Sequence, residues 1–256
     1  MGEIVGVIVG IETYSRAGMD ISAPFRNALG VAAHLLKMGA KGPNISLLVN
    51  QTSSPDGYTG YEELRDLREK GVKISDDLRK ANIIDSFAVA AEGIPQDSRL
   101  FVYWCGYGYA GAGDRILLCS DFNVGTFNDR TFNATKRFRR LGSLPEYACF
   151  SEQIFLVDVC ARYTDTIEPD NIDMSGQLRA KQVAAFATRE GGYSRGGFSD
   201  VAIAWLARQQ VWPEIGKVLK TLVPDLEAVK LKPFTLHFRV PFLGSVNPSP
   251  SGDGMQ

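Results

Sequence analysis

Four short apolar runs constrain the fold of this chain more than any other feature. They read EIVGVIVGI, NISLLVN, RLFVYWC and QIFLVDVC, and they begin at Glu3, Asn44, Arg99 and Gln153. Continuous runs of this length, rich in β-branched and aromatic residues, are typical of strands that are buried on both faces of a parallel sheet. Helical patterns separate them, which is the alternation expected of an α/β domain.

Two more strand patterns, KQVAAFAT and PFTLHFRV, begin at Lys181 and Pro233. The sequence therefore predicts an α/β domain with a roughly six-stranded, mainly parallel sheet flanked by helices, covering residues 1–242. The remaining segment, 243–256, is rich in Gly, Ser and Pro. We expect it to be a disordered tail or a linker to a further domain.

The composition excludes several classes of function. The formal net charge is -1, so the chain has no broad electrostatic attraction for nucleic acid or an anionic membrane. No apolar run has membrane-spanning length, and the first strand lacks the basic region of a signal peptide. We expect a cytoplasmic protein with reduced thiols, because its 4 cysteines form no C-x-x-C pair.

No cofactor or metal is predicted either. The loop GYGYAGAG, which begins at Gly106, contains no Lys-Ser or Lys-Thr pair, and no helix clearly follows it. It therefore does not match a phosphate-binding loop. The first strand is not followed by G-x-G-x-x-G, and the cysteines lack the spacing of metal ligands.

A candidate site lies where two of the apolar strands end. RLFVYWC runs into Gly106, Tyr107 and Gly108, and QIFLVDVC passes through Asp158 to Cys160. Ligand sites of open parallel sheets lie beyond the carboxyl ends of the strands. If these two strands are neighbours, Tyr107 and Cys160 lie close together at one edge of the sheet.

These segments resemble a known fold family. RLFVYWCGYGYAGAGDRILLCSD resembles the caspase pattern in which a strand ends in Ser-Gly-His-Gly and is followed by a hairpin and an Asp. QIFLVDVCAR resembles the Asp-x-Cys segment that carries the nucleophile. GVIVGIETY and VAAFATREGGYSRGGFSDVAIAWL also resemble caspase-like segments, in the same order along the chain. From Glu3 to Val240 the chain is similar to caspase-like, metacaspase-related domains, most closely those of bacterial conflict (defence) systems.

The resemblance implies a three-layer sandwich and assigns roles to four residues. Cys160 aligns with the nucleophile, and the backbone N–H of Gly108 would form the oxyanion hole together with that of Cys160. Asp158 aligns with an acid that binds a basic P1 side chain in some relatives. Tyr107 stands where the family has its general-base histidine, so the chain departs from the family at the decisive position.

This departure removes two chemical steps. In a cysteine protease an imidazole first ionises the thiol and then protonates the leaving amine. A phenol, with an ordinary pKa near ~10 against ~6.5 for imidazole, does neither at neutral pH. The chain has only 2 histidines. We expect His34 to be exposed on a helix and His237 to lie on a strand remote from the site, so neither replaces the missing base.

A second departure lies at the start of the first helix. Related sequences often have Asn-Asp-Ala there, and the acid helps to hold a basic P1 residue, whereas this chain has Arg26, Asn27 and Ala28. We expect Arg26 to oppose a basic ligand. Asp158 then has two interpretations, a partner for a basic side chain or a cap for backbone amides, and the sequence does not decide between them.

Two hypotheses about function follow. The preferred one is a pseudo-peptidase that binds a protein or peptide partner, or transmits a signal in a bacterial conflict system, without cleavage. The alternative is an active cysteine endopeptidase that cuts after Arg or Lys, with Tyr107 tolerated or a base supplied by a partner chain. The segment 161–179 has the length of a mobile binding loop, and an exposed last strand allows pairing with another copy.

Overall fold

A computed structural model gives the architecture of the chain. It describes residues 2–52, 57–111, 113–123, 130–163, 177–192 and 197–238. The predicted tail 243–256 and the domain boundary at 242 lie outside the described residues, as does most of the segment 161–179. No helix in these ranges is long and apolar enough to cross a membrane.

In the described residues the central sheet has seven strands, β1 Ile4–Ile11, β2 Ile45–Asn50, β3 Lys73–Ser75, β4 Ser98–Gly106, β8 Phe150–Val159, β10 Lys181–Phe186 and β11 Phe234–Phe238. Their order across the sheet is β11-β10-β8-β4-β1-β2-β3. All neighbouring pairs are parallel except β10 and β11. The mainly parallel sheet is therefore confirmed, and the strand absent from the sequence prediction is β3, which is too short to give an apolar run.

A second sheet, as far as the structure describes it, has four short strands, β5 Gly108–Gly111, β6 Asp114–Leu118, β7 Thr131–Asn133 and β9 Arg162–Tyr163. Their order is β7-β6-β5-β9. β5 and β6 form the hairpin that the family pattern implies after the glycine-rich segment. Gly113 has a φ of 83° at this turn, a left-handed conformation that favours glycine.

Helices cover both faces of the central sheet. Their bounds are α1 Pro24–Lys37, α2 Tyr61–Glu69, α3 Lys80–Ala91, α4 Ala134–Leu141, α5 Phe198–Ala207 and α6 Ile215–Ala228. One apolar core joins the sheet to α1, α2, α5 and α6, and a second core joins the opposite face to α3 and α4. This is the three-layer arrangement predicted from the sequence.

The start of α3 differs from the sequence prediction. The pattern SDDLRKANIIDSFAVAAEG favours a helix that begins near Ser75, but Ser75 ends β3 and the helix begins at Lys80. The Asp77 carboxylate accepts a hydrogen bond from the backbone N–H of Arg79 at 3.1 Å. Aspartate that bonds the backbone two residues on stabilises a turn, and this local bond competes with helix formation.

Candidate functional site

Tyr107 and Cys160 lie on neighbouring strand ends, as the sequence predicts. β4 and β8 are parallel neighbours, with Cys105 opposite Asp158. Beyond the site, β5 and β9 pair with Tyr109 opposite Arg162, in the same register. Tyr107 comes midway between Cys105 and Tyr109, and Cys160 comes midway between Asp158 and Arg162. Because the register is the same in both strand pairs, Tyr107 lies opposite Cys160.

Both residues line one cavity of about 330 Å³. Its walls come from the loop before α1, the start of α1, the ends of β4 and β8, and the start of α5. Cys160 and Tyr107 are each partly exposed. The cavity therefore gives a ligand access to the sulfur and to the phenol at the same rim of the sheet.

A second tyrosine holds the backbone of Tyr107 in place. The N–H of Tyr107 donates to Oη of Tyr14 at 2.8 Å, and the two rings lie 5.3 Å apart at an angle of 59°. Gly106 permits this contact, because a Cβ atom there would lie 2.6 Å from the Tyr14 hydroxyl. The glycine before Tyr107 is thus explained by the close approach of a neighbouring side chain.

The local environment keeps the Tyr107 phenol neutral. Partial burial, followed by the proximity of Cys160, Tyr109 and Asp20, raises the pKa of Tyr107 above its ordinary value. A raised pKa means that the hydroxyl retains its proton at neutral pH and beyond. Tyr107 can donate a hydrogen bond, but its basic form, the phenolate, is populated even less here than for a phenol in water.

Gly108 has the backbone orientation required of an oxyanion donor. The carbonyl of Tyr107 accepts a hydrogen bond at 3.0 Å from the N–H of Leu118, at the end of β6. In a trans peptide the following N–H points the opposite way. The N–H of Gly108 therefore points away from β6, toward the side of β5 on which Cys160 leads into β9.

Close packing explains the glycine at this position. A Cβ atom on Gly108 would lie 2.8 Å from Cγ2 of Val159 and 3.0 Å from the carbonyl oxygen of Ile116. The missing side chain lets β5 approach the end of β8 immediately before Cys160. The arrangement fits the predicted role of Gly108, which itself remains a prediction.

Asp158 caps a helix. Its side chain is 7% exposed. Oδ2 accepts hydrogen bonds from the backbone N–H of Ser199 at 3.1 Å and from its hydroxyl at 2.5 Å. Ser199 lies in the first turn of α5, whose N-cap residue, Gly197, has no side chain that could accept from the free backbone N–H groups. The Asp158 carboxylate therefore provides the acceptor at this helix N-terminus. Of the two interpretations of Asp158, the structure contains the capping contact, and binding of a basic side chain remains a prediction.

A buried polar network extends beneath the cavity. The hydroxyl of Tyr103 lies 2.5 Å from the hydroxyl of Ser199, which is 3.8 Å from Sγ of Cys105. Burial, and then the charge of Asp158, raises the pKa of the Cys105 thiol strongly. Cys105 borders the cavity but remains a protonated, unreactive thiol.

Three other residues at the cavity were not assigned a role from the sequence. Asn27, Ser199 and the exposed Asp200 border it, and Asp200 adds a second carboxylate beside Asp158. The segment GGFSD contained a usable signal, since Ser and Asp after glycine favour the first turn of a helix. Its location near Cys160 depends on how α5 packs, which the local sequence does not encode.

Arg26 does not border the cavity. Its guanidinium lies 4.0 Å from the centre of the Tyr58 ring, in a cation–π contact. Asn27, the next residue, is the one that lines the cavity. The expectation that Arg26 directly opposes a basic ligand is therefore not supported by its position.

Neither histidine lies at the site. His34 is partly buried rather than exposed, because α1 packs against the sheet, and this burial lowers the pKa of its imidazole. His34 lies about 10 Å along α1 from Asn27, at 1.5 Å per residue. His237 is in β11, two strands away from β8 in the sheet, and its register through Val183 places it level with Ile154. Ile154 comes six residues before Cys160, so His237 is also about 20 Å from Cys160 along the strand direction.

Within the ranges that the structure describes, no group of three or more His, Cys, Asp or Glu side chains is placed to hold a metal ion. The groups that border the cavity include the thiols of Cys160 and Cys105, a neutral phenol, two carboxylates and backbone amides. These groups can bind a peptide with a cationic side chain. The described residues at the cavity include no histidine, the side chain that in a cysteine peptidase removes a proton from the thiol and later returns one to the leaving amine.

Comparison with solved structures identifies the fold. Caspase-1 from Spodoptera frugiperda matches with a TM-score of 0.57 and 14% identity, covering 93% of this chain and 87% of that chain. Pro-sf-caspase-1 matches with a TM-score of 0.54 and 12% identity, covering 93% and 88%. Protein GSU0716 from Geobacter sulfurreducens matches with a TM-score of 0.57 and 10% identity, covering 92% and 93%.

Neither a family model nor a curated protein matches the sequence. At identities this low, the structural likeness shows the fold alone. The chain therefore has a caspase-like α/β fold, with a mostly parallel sheet between two helical layers.

Proposed function

We propose that this caspase-like domain is a pseudo-peptidase, which binds a peptide or protein partner at the cavity beside Cys160 without cleaving it. One observation carries the proposal: a phenol whose pKa is raised, and not an imidazole, lies opposite Cys160. The caspase-like fold supports a relation to peptidases. The motif resemblance supports a signalling role in the cytoplasm of a bacterium, within a defence system.

The chemistry explains why binding would survive while cleavage fails. Peptide hydrolysis by a cysteine requires that the thiol lose a proton, that the sulfur attack the carbonyl, and that the amine leave with a proton. The neutral Tyr107 cannot accept the first proton. General acid–base catalysis is typically worth about 10²- to 10⁴-fold, and its loss leaves the binding contacts of the cavity unaffected.

The charges at the cavity indicate the class of partner. Asp158, near the end of β8, and Asp200, in the first turn of α5, both border it, and Asp200 is exposed. A peptide that presents Arg or Lys would place its cation beside these carboxylates. Asp200 would contribute directly, whereas Asp158 is already engaged by Ser199.

One specific observation favours the second candidate function, that of an active endopeptidase that cuts after Arg or Lys. The N–H of Gly108 points to the side of β5 on which Cys160 lies, as an oxyanion donor would. An active enzyme would then need a base from a partner chain. The two candidates differ in one outcome, which is whether a bound peptide is cut.

A binding experiment tests the preferred function. A library of fluorescent hexapeptides with a central Arg or Lys would be titrated with the protein and followed by anisotropy, and the peptides would then be recovered for mass spectrometry. We expect saturable binding, weakened about tenfold by Asp200→Asn, and intact peptide after incubation. Glu63→Gln, which removes an exposed carboxylate of α2 that does not border the cavity, is the matched control. Absence of binding, or equal weakening by both variants, would contradict the proposal.

A further inference from the structure

A second cavity, of about 580 Å³, lies at the carboxyl ends of the parallel strands β1, β2 and β3. Its walls come from α2, the start of α1 and the residues that end or follow these strands. It shares no described lining residue with the cavity at Cys160. Small-molecule sites have volumes of about 300 to 1,000 Å³, and those of open parallel sheets lie at this edge. Neither the caspase resemblance nor the proposed function gives this cavity a role.

Hydrogen bonds hold the rim of the cavity in place. Oδ1 of Asn50 accepts from the backbone N–H of Glu12 at 2.8 Å and of Thr13 at 3.1 Å, and Nδ2 donates to the Thr13 carbonyl at 2.9 Å. The buried Glu12 carboxylate accepts from the backbone N–H of Phe25 at 3.1 Å and of Thr52 at 3.0 Å. The ends of β1 and β2 are thereby tied to the start of α1. A ligand would therefore meet a preformed rim and would not have to order it.

Two opposite charges border the cavity without forming an ion pair. The guanidinium of Arg68, on α2, and the carboxylate of Asp76, which follows β3, both line it, and both residues are exposed. Within the described part of the chain neither of them has a salt-bridge partner, whereas Arg65 on the same helix pairs with Glu62 and Glu69. A cation and an anion that line one cavity and do not meet are complementary to a ligand that carries both charges.

Two neutral polar groups add to these charges. Thr13 lines the cavity, and its hydroxyl has no hydrogen-bond partner among the described residues. Gln51 donates through its amide nitrogen to the carbonyl of Tyr58 at 2.9 Å, and its Oε1 accepts from no described residue. A ligand carboxylate accepts from a guanidinium and a hydroxyl, whereas the three donors of an ammonium suit a carboxylate and an amide oxygen.

An aliphatic wall lies beside the polar groups. Leu64 precedes Arg68 by one turn of α2, and Ile74 precedes Asp76 by two residues, and all four line the cavity. Leu64 and Ile74 are half-buried, so part of each side chain is accessible to a ligand. Burying that surface favours an aliphatic group on the ligand.

We propose that this cavity binds a free α-amino acid with an aliphatic side chain. Its carboxylate would lie at Arg68 and Thr13, its ammonium at Asp76 and Gln51, and its side chain against the aliphatic wall. An aliphatic acid or amine would leave one of the two charges without a partner. The site is separate from Cys160, so this inference does not rest on the proposed function.

The direct test is calorimetry with three probes that share one side chain. They are L-leucine, 4-methylpentanoate, which lacks the ammonium, and 3-methylbutylamine, which lacks the carboxylate. Each would be titrated into the wild-type protein, Arg68→Gln and Asp76→Asn. Arg65→Gln and Glu63→Gln remove exposed charges of α2 that do not line the cavity, so they are the matched controls. Thermal unfolding would establish that each variant is folded.

We expect L-leucine to bind the wild-type protein at least about tenfold more tightly than either analogue, because each analogue lacks one charge-assisted contact. Arg68→Gln should bind L-leucine no better than the amine, Asp76→Asn should bind it no better than the acid, and the controls should match the wild-type protein. Equal affinity of the three probes, no binding of L-leucine at millimolar concentration, or a variant that weakens all three probes equally would overturn the proposal.

Methyl spectra locate the ligand. Ile74→Val assigns the δ1 methyl signal of Ile74, which lines this cavity, and Ile21→Val assigns that of Ile21, which lines the cavity at Cys160. The Ile74 signal should shift on addition of L-leucine, and the Ile21 signal should not. An unchanged Ile74 signal, or a shift confined to Ile21, would place the ligand elsewhere and refute the assignment.

Discussion

Replacing Tyr107 by histidine should convert the domain from a binding protein into a peptidase. Tyr107 is opposite Cys160 on the neighbouring strand, and strands lie about 4.8 Å apart, so an imidazole at position 107 lies within reach of the sulfur. The backbone should not move, because the hydrogen bond from the N–H of residue 107 to the Tyr14 hydroxyl does not involve the side chain at position 107. The substitution adds a base for Cys160 and an acid for the leaving amine.

The expected gain follows from the chemistry that is missing. General acid–base catalysis contributes about 10²- to 10⁴-fold, and the N–H of Gly108, the predicted oxyanion donor, points toward the side of β5 on which Cys160 lies. We expect kcat/KM for fluorogenic Arg or Lys peptides to rise at least about 100-fold above that of the wild-type protein at neutral pH. The activity should fall at acidic pH, because protonation of the imidazole removes the base.

Matched variants separate this cause from others. Tyr109→His places an imidazole on the same strand opposite Arg162 instead of Cys160, and it should give no gain. Tyr107→Phe removes the phenol without supplying a base and should also give none. The double variant Tyr107→His with Cys160→Ala should be inactive. A folded Tyr107→His protein with no gain over the wild-type protein would refute the reasoning that the missing imidazole is what prevents cleavage.

Three further predictions concern the surroundings of the site. Iodoacetamide at pH 8 should label Cys160 first, because the other cysteines, Cys105, Cys119 and Cys149, are buried, and burial raises the pKa of Cys105 and of Cys149. If peptide mass spectrometry finds Cys105 labelled as fast as Cys160, the burial of Cys105 is contradicted. Asp158→Ala should lower the free energy of unfolding, measured by urea denaturation, by about 2 kcal/mol because Ser199 loses its acceptor. Asp200→Ala, at an exposed position, should change it by less than about 0.5 kcal/mol, and equal effects of the two variants would contradict the capping role of Asp158. Gly108→Ala should lower the free energy of unfolding by about 1–3 kcal/mol, because the added Cβ would overlap Val159. No change in the same assay would show that β5 and β8 are farther apart than described.

The sequence predicted the layers of the fold because the strands that form the sheet are long and continuously apolar. β1, β4 and β8 are recognisable from hydropathy alone, since both of their faces are buried. β3 was not predicted, because an edge strand that spans only Lys73–Ser75 has no periodicity to detect. The start of α3 was misplaced for a local reason, the turn stabilised by Asp77.

The candidate site was predictable only in part. The pairing of Tyr107 with Cys160 follows from strand ends and motif order, so it was accessible from the sequence. The role of Asp158 as a cap for α5 was not, because Ser199 is 41 residues away in the chain and the contact depends on tertiary packing. For the same reason the approach of Tyr14 to Gly106, and the position of Arg26 over Tyr58, became visible only in the structure.

A single-turnover cleavage assay tests the central claim most directly. The wild-type protein and Cys160→Ala, each in excess over a library of fluorogenic Arg and Lys peptides, would be compared over hours at neutral pH. We predict that the two proteins release product at the same background rate, because no histidine among the described residues lies beside Cys160 to remove its proton. Product release that depends on Cys160 in the wild-type protein would contradict the assignment as a pseudo-peptidase.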